Sequence, residues 1–152
     1  MSEWRSRALK AFPEFRSAIQ RVDSQNALWV ELFPHFSAHY DLDRLPTQDE
    51  DSNLIRRIYM YAIWCSGAKD WRTREAVEIG FFESLAFAAL SSKKAAYDQI
   101  IEDAVAHLGL PRMKAHAVAL GHLIPREKLE RFFQDAQVTA DRNQKRSAKR
   151  RR

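Results

Sequence analysis

The sequence predicts an all-α fold built from seven to eight helices. Apolar residues recur at the spacing of an amphipathic helix along most of the chain, whereas no segment sustains the alternation of a β-strand. Only four glycines occur among the 152 residues, and nearly all chain-breaking residues lie between the periodic segments. Two long helical segments, about 48–66 and 71–90, are joined by four residues, so we expect antiparallel neighbours. Such pairs stacked in series would form an α-solenoid-like bundle, although the chain lacks the strict sequence repeat of a solenoid.

Two apolar stripes predict the N-terminal helices. Pro13 favours a helix start just after Phe12, because proline is tolerated in a first turn and not in a helix interior. Pro34 lies within the second stripe, so we expect that helix to be kinked or broken there. The two stripes comprise Phe12, Phe15, Ile19 and Val22, and then Leu28, Trp29, Leu32, Phe33 and Phe36.

The long central pair has defined starts and stops. Thr47 and Glu50 match a capping box, in which the hydroxyl accepts from a backbone N–H and the carboxylate reaches back. Gly67 ends the first helix, and Asp70 caps the second. Gly80 lies inside the second helix, where glycine costs about 1 kcal/mol relative to alanine. Its presence there indicates the close approach of a neighbouring helix.

The C-terminal helices are bounded by small residues and prolines. Ser91 or Ser92 caps one helix, and Gly109 ends it. Pro111 begins a short helix, and Pro125 begins the last one. Across all segments, the residues that the stripes place in the core include Ile58, Trp64, Phe81, Phe82, Leu85, Ile101 and Phe132.

Positive charge is concentrated at the C-terminus. Residues 142–152, "RNQKRSAKRRR", hold seven cations and no carboxylate, and without them the chain has 18 basic and 20 acidic residues. The net charge of +5 and the pI near 9.6 therefore describe this tail. We predict a single helical domain over 1–141 and a disordered tail over 142–152, because no apolar group there can offset the entropy of ordering.

Composition excludes several classes of protein. The longest apolar runs are far shorter than the roughly 18 residues of a membrane span. The charged start of the chain has no apolar signal-peptide core, so we expect a cytoplasmic location. Cys65 is the single cysteine, which excludes an internal disulfide and a cysteine-built zinc site. We expect no cofactor and no metal.

The acidic residues of the second long helix are the first candidates for catalysis. Glu75, Glu78 and Glu83 would need a pocket that perturbs their ionisation. Neighbouring arginines at helical spacing instead predict exposed ion pairs. Cys65, set among aromatic residues, is expected to be a small buried thiol. Because the chain also lacks a phosphate-binding glycine loop and a nucleophile elbow, we predict that the protein is not an enzyme.

Two histidines and an aspartate have the spacing of metal ligands. His35, His39 and Asp43 would align if one helix ran through all three. Pro34 disturbs the start of that helix, and Asp43 is expected in a loop. We therefore predict no metal site here.

The second long helix follows a short turn with an aspartate and carries an arginine and apolar residues at helical spacing, namely Asp70, Arg74, Ala76, Val77 and Leu85. In this pattern it resembles the second helix of a HEAT repeat.

Four further motifs occur in order along residues 8–90: "AFPEFR" at 11–16, "LFPHF" at 32–36, "LIRRIYMYAIWC" at 54–65 and "RTREAVEIGFFESLA" at 72–86. On these motifs the chain is similar to a family of small bacterial all-helical proteins of unknown function, some of which are suspected immunity proteins of toxin systems. The resemblance implies no catalytic residue.

Two charged segments suggest functions in binding. The first hypothesis is a protein-interaction module, an immunity-type inhibitor whose acidic segment 41–51 opposes a basic toxin. Its candidate residues are Asp41, Asp43 and Asp51. The alternative is a small nucleic-acid-associated protein that acts through its tail, although a tail that only solubilises the chain has the same composition. The candidate polyanion-binding residues are Arg142, Lys145, Arg146, Lys149, Arg150, Arg151 and Arg152.

Overall fold

A computed structural model of the chain describes residues 1–40, 48–116 and 123–152, with the backbone alone for 48–52. The fold is all-α, as predicted, and no strand occurs in these ranges. The elements are α1 (Glu3–Ala11), a 3₁₀ turn (Pro13–Phe15), α2 (Arg16–Arg21), α3 (Gln25–His39), α4 (Gln48–Ser66), α5 (Trp71–Val77), a π-helical segment (Glu78–Glu83), α6 (Ser84–Ser91), α7 (Lys94–Leu108), α8 (Leu110–Ala115) and α9 (Arg126–Arg150).

The described residues form two compact units, Met1–Leu85 and Ala86–Arg152. The first unit contains α1 to α5 and the π-helical segment, and the second contains α7 to α9 and most of α6. The single domain over 1–141 and the HEAT-like arrangement stay predictions.

The core of the first unit is an aromatic cluster. Phe81 lies at its centre, with ring centroids 5.3 to 5.4 Å from those of Trp29, Phe36 and Tyr59. These rings come from α3, α4 and the π-helical segment, and they hold the three elements together. The predicted core residues Ile58, Phe81, Phe82 and Leu85 are buried.

Trp64 was wrongly predicted as a core residue, because it is only partly buried. Its ring stacks on Tyr61 at 5.9 Å between centroids, and the guanidinium of Arg7 lies 5.6 Å from its centroid. A cation over an aromatic face is a favourable surface arrangement. Helical spacing alone does not distinguish this position from the buried ones one turn away.

Gly80 confirms the predicted close approach of two helices. An added Cβ at Gly80 would lie 2.5 Å from Cβ of Trp29 and 2.6 Å from its Cγ. The absence of a side chain therefore allows Trp29 of α3 to pack directly against the π-helical segment.

Local signals are confirmed at several helix ends. Asp70 Oδ1 accepts from the backbone N–H of Arg72 at 3.2 Å, and Asp70 Oδ2 accepts from the Thr73 hydroxyl at 3.1 Å. Gly109 ends α7 with a φ of 79°, a conformation that glycine adopts without steric cost. Pro34 does not break its helix, because it lies inside the continuous α3, and the kink stays a prediction. The capping box cannot be located, because Thr47 and the side chain of Glu50 lie outside the described part of the chain.

The core of the second unit lies between α7 and α9. Ile100, Ile101 and Ala104 of α7 are buried, as are Phe132 and Ala136 of α9. Ile101 and Phe132 were predicted to lie in the core, and both predictions are confirmed.

The last helix differs from the sequence prediction. Residues 142–150 continue α9 to Arg150, where we expected a disordered tail. Most residues of this stretch are good helix formers, and cations favour the negative end of a helix dipole. Two side-chain contacts stabilise α9 near the start of this stretch. Gln137 donates to Asp141 at 3.0 Å, and Arg142 pairs with Glu102 of α7 at 3.0 Å.

Candidate functional site

The candidate site is the basic end of α9. Arg142, Lys145, Arg146 and Lys149 follow the i, i+3, i+4, i+7 spacing of one helical face. All four are at least partly exposed, and together with Val138 and Asp141 they line an open hollow on the helix. Arg150 lies in the last turn of the helix. We call the full set the tail cations: Arg142, Lys145, Arg146, Lys149, Arg150, Arg151 and Arg152.

Most tail cations are available to an external anion. Arg142 pairs with Glu102, but both side chains are nearly half-exposed, so water weakens this pair. Within 1–40, 48–116 and 123–152, no carboxylate lies in ion-pair distance of Lys145, Arg146 or Lys149. Like charges held on one face repel each other, and an anion that binds there relieves the repulsion.

A second feature of the same unit adjoins this face. An open groove of about 600 Å³ lies between α7 and α9, and we call it the α7–α9 groove. Val138 and Arg142 line both the groove and the basic hollow, so the two are continuous. Other groove residues are Ala89, Leu90, Ser92, Lys94, Tyr97, Asp98, Ile101, Glu102, Lys128, Arg131, Asp135 and Thr139.

Hydrogen bonds and ion pairs occupy every carboxylate of the groove. Asp98 pairs with Lys94 at 2.8 Å, and Glu102 pairs with Arg142. Asp135 accepts from the Tyr97 hydroxyl at 2.5 Å. Burial first, and then this hydrogen bond, raise the pKa of Tyr97, so its phenol stays neutral and donates.

Two groove cations were not singled out by sequence reasoning. Lys128 and Arg131 lie on the groove side of α9, and no carboxylate of the described residues is in ion-pair distance of either. Their spacing from the tail cations places them on the same face of a helix, and this spacing could have identified them in the sequence. That signal is visible only if the helix is extended through residue 150.

The side chains of the predicted acidic site lie outside the described residues. Asp41 and Asp43 lie outside the described residues, and only the backbone of Asp51 is described, within α4. His35 is exposed on α3 and its ring lies 4.6 Å from that of Phe15. His39 packs against Tyr40 at the end of the same helix.

The remaining chemical candidates belong to the scaffold. Cys65 is fully buried and accepts from Gln25 Nε2 at 3.0 Å. Burial raises the pKa of the Cys65 thiol to about 12, so it stays protonated at neutral pH. Glu75 is exposed on α5, while Glu78 and Glu83 are partly buried at the two ends of the π-helical segment.

No helix in the part of the chain that the structure describes is long and apolar enough to cross a membrane.

The fold and the basic surface define an all-α protein with a charged terminal helix, and comparison assigns its family. The chain belongs to the family described as Domain of unknown function (DUF7674), whose model matches residues 5–104. The match contains all of the segment 8–90 that resembles a family of unknown function. No curated protein and no solved structure matches the chain. The helix α9 and its cations lie beyond the matched residues.

Proposed function

We propose that the protein binds nucleic acid through the tail cations of α9. The observation that supports this most is the basic face formed by Arg142, Lys145, Arg146 and Lys149 on a continuous helix. Phosphates neutralised by such cations release their counterions, and this release drives binding.

The helical form of the tail matters for this function. A helix holds its cations at fixed positions before binding, so less conformational entropy is lost when phosphates are bound. An α-helix also fits the major groove of duplex DNA. Ion pairs between cations and phosphates carry no sequence information directly, so we expect slight sequence preference.

The test replaces three cations and keeps the helix. The variant K145Q/R146Q/K149Q should bind a duplex oligonucleotide with a log affinity that depends less steeply on log salt. Because three fewer phosphates are neutralised, the slope should be smaller by roughly 2.7, at 0.9 per phosphate. The matched control is K10Q/K69Q/K114Q, which removes three exposed cations elsewhere. If the two triple variants bound alike, the basic face of α9 would not be the binding surface.

A protein partner is the second proposal, and exposed apolar side chains in the first unit favour it. Trp71 begins α5 with 58% of its surface exposed, and the guanidinium of Arg72 lies 5.6 Å from its ring centroid. Tryptophan and arginine are the residue types that dominate binding energy at protein interfaces. Val30, Met60 and Ile79 of the same unit are also exposed by more than half.

This second proposal keeps the immunity-type hypothesis and its acidic residues. Pull-down from host cells would use the chain without 142–152, so that complexes bridged by nucleic acid are not captured. A basic partner should then associate more slowly with D41K/D43K/D51K, because charge attraction speeds association. Unchanged association and salt dependence would reject the acidic segment as the interface. If Trp71→Ala also weakened binding of this partner, the interface would include α5.

A further inference from the structure

The cations of α9 continue beyond the tail along a single face of the helix. At 100° per residue, the six basic residues of this face fall within about 100° of arc. From Lys128 to Lys149 they span 22 residues, and the 21 steps between the two ends cover about 32 Å at 1.5 Å per step. The six are Lys128, Arg131, Arg142, Lys145, Arg146 and Lys149.

The α7–α9 groove lies beside the middle of this row. Lys128 and Arg131 lie on the groove wall at one end of the row, and Arg142 lies where the groove meets the basic hollow. Asp98 and Glu102 of the groove are ion-paired with Lys94 and Arg142, whereas Asp135 is hydrogen-bonded to the neutral Tyr97 phenol and keeps its charge. An anion that enters the groove therefore finds Lys128 and Arg131 without an ion-pair partner among the described residues at one end, and at the other end Arg142, whose pair with Glu102 is weakened by exposure.

The surface between the two groups of cations is partly apolar. Val138 lies there with 67% of its surface exposed, and the half-buried ring of Tyr97 lines the opposite wall. Single-stranded nucleic acid is bound by basic grooves that follow the backbone and by aromatic or apolar surfaces that receive the bases. A volume of about 600 Å³ is within the range of small-molecule sites, so it can take unpaired bases. The bases of a duplex remain stacked and paired and cannot turn into it.

We propose that one unpaired strand of nucleic acid lies along α9, with phosphates on the tail cations and on Lys128 and Arg131, and bases over Val138 in the α7–α9 groove. The inference rests on the proposed function of the tail cations and adds the form of the partner. Both forms can place phosphates on the cations of α9, but only a single strand can also place bases in the α7–α9 groove beside Lys128 and Arg131.

The experiment compares a single-stranded 20-nucleotide oligothymidylate with a 20-base-pair duplex. The variant K128Q/R131Q should neutralise two fewer phosphates of the single strand. Its salt slope should then be smaller by about 1.4, and its affinity lower by roughly 10- to 30-fold at 0.1 M salt, at 0.7 per phosphate. Duplex affinity should fall less, because duplex bases cannot enter the groove beside these two cations. Circular dichroism and thermal melting confirm that the variant is folded.

The control variant is R126Q/K114Q. Arg126 lies on the same helix but on another face, where it pairs with Glu130, and Lys114 is exposed on α8. This variant should bind both oligonucleotides like the unmodified chain. A second variant, Val138→Asp, places a carboxylate between the two groups of cations and should weaken single-strand binding more than duplex binding.

The outcomes separate this inference from the proposed function. If K128Q/R131Q bound the single strand normally while K145Q/R146Q/K149Q bound it more weakly, the groove would be excluded and the tail would remain the binding surface. An equal loss of affinity for both oligonucleotides would overturn the single-strand assignment. If neither variant lost affinity for either oligonucleotide, both proposals would be wrong.

Discussion

At the scale of single residues, the packing of Trp29 on Gly80 determines how closely α3 approaches the π-helical segment. Gly80→Ala would place a methyl group 2.5 Å from Cβ of Trp29. That atom is close to the backbone, so it cannot move away as the end of a flexible side chain would.

We expect Gly80→Ala to destabilise the protein by about 1–2 kcal/mol, since overpacking outweighs a gain of about 1 kcal/mol in helix propensity. Urea denaturation measures the change. Gly67→Ala is the control, because its added Cβ would meet backbone oxygens only at 3.8 and 3.9 Å. A Gly80→Ala protein as stable as the Gly67→Ala protein would mean that the helices are not this close.

A second residue-scale prediction concerns Glu14 and its dependence on pH. The guanidinium of Arg57 donates to both oxygens of Glu14, at 2.5 and 3.0 Å, and also to the Ala11 carbonyl. The hydrogen bond from Arg57 lowers the pKa of Glu14 from its ordinary 4.5. A carboxyl whose pKa is lower in the folded state stabilises that state above its unfolded pKa. The contribution is lost as the pH falls through the folded pKa.

Glu14→Gln should therefore be less stable than the unmodified chain at pH 7, by at most about 1 kcal/mol because both side chains are partly exposed. The difference should shrink as the pH falls below 4.5. Thermal unfolding across this range measures it, and Glu75→Gln, at an exposed site, is the control. A difference that stayed constant with pH would exclude the ion pair as its cause.

At the scale of elements, the decisive feature is the continuation of α9 through residue 150. The variant Ser147→Pro tests whether the helix matters apart from its charge. Proline removes a helical hydrogen bond and clashes with the preceding turn, at a cost of about 3 kcal/mol. Ser147 is exposed, so the packed core should be unaffected.

We expect Ser147→Pro to bind duplex DNA more weakly, by about eightfold at 0.1 M salt for each phosphate that the broken helix no longer neutralises. Ser147→Ala keeps the helix and should bind normally. Fluorescence anisotropy measures both affinities. Equal affinities would show that a disordered tail of the same charge binds equally well.

The same helix shows what the sequence could and could not predict. The stripes identified the buried residues of α9, such as Phe132, because burial repeats at helical spacing. They did not reveal that the helix extends past its apolar face. That extension depends on intrinsic propensity and on ion pairs such as that of Arg142 with Glu102, which are distant in sequence. Lys128 and Arg131 were not identified from the sequence, because they share a face with the tail cations only when the helix continues through residue 150.

The sequence also could not show that the side chain of Trp64 is only partly buried. Its spacing matches the buried residues of α4, and only the neighbouring Arg7 from α1 shows why the ring stays partly exposed. By contrast, Gly80 could be interpreted from the sequence alone, because glycine inside a helix is unfavourable without a steric reason.

At the scale of the whole molecule, charge is divided between the two units. Residues 1–85 contain 11 basic and 13 acidic residues, a net charge of −2. Residues 86–152 contain 14 basic and 7 acidic residues, a net charge of +7, which equals the number of tail cations. The first unit lies wholly within the family match apart from residues 1–4, whereas the tail cations lie outside it. This division supports a separate binding role for α9.

The measurement that tests the central proposal most directly is duplex DNA affinity as a function of salt, with and without residues 142–152. The full chain should give a slope of roughly −3 to −6 in log affinity against log salt, because seven cations are present and not all engage at once. The truncated chain should lose binding while its melting temperature stays nearly unchanged. If the truncated chain bound duplex DNA at physiological salt as tightly as the full chain, the tail cations of α9 would not be the nucleic-acid surface.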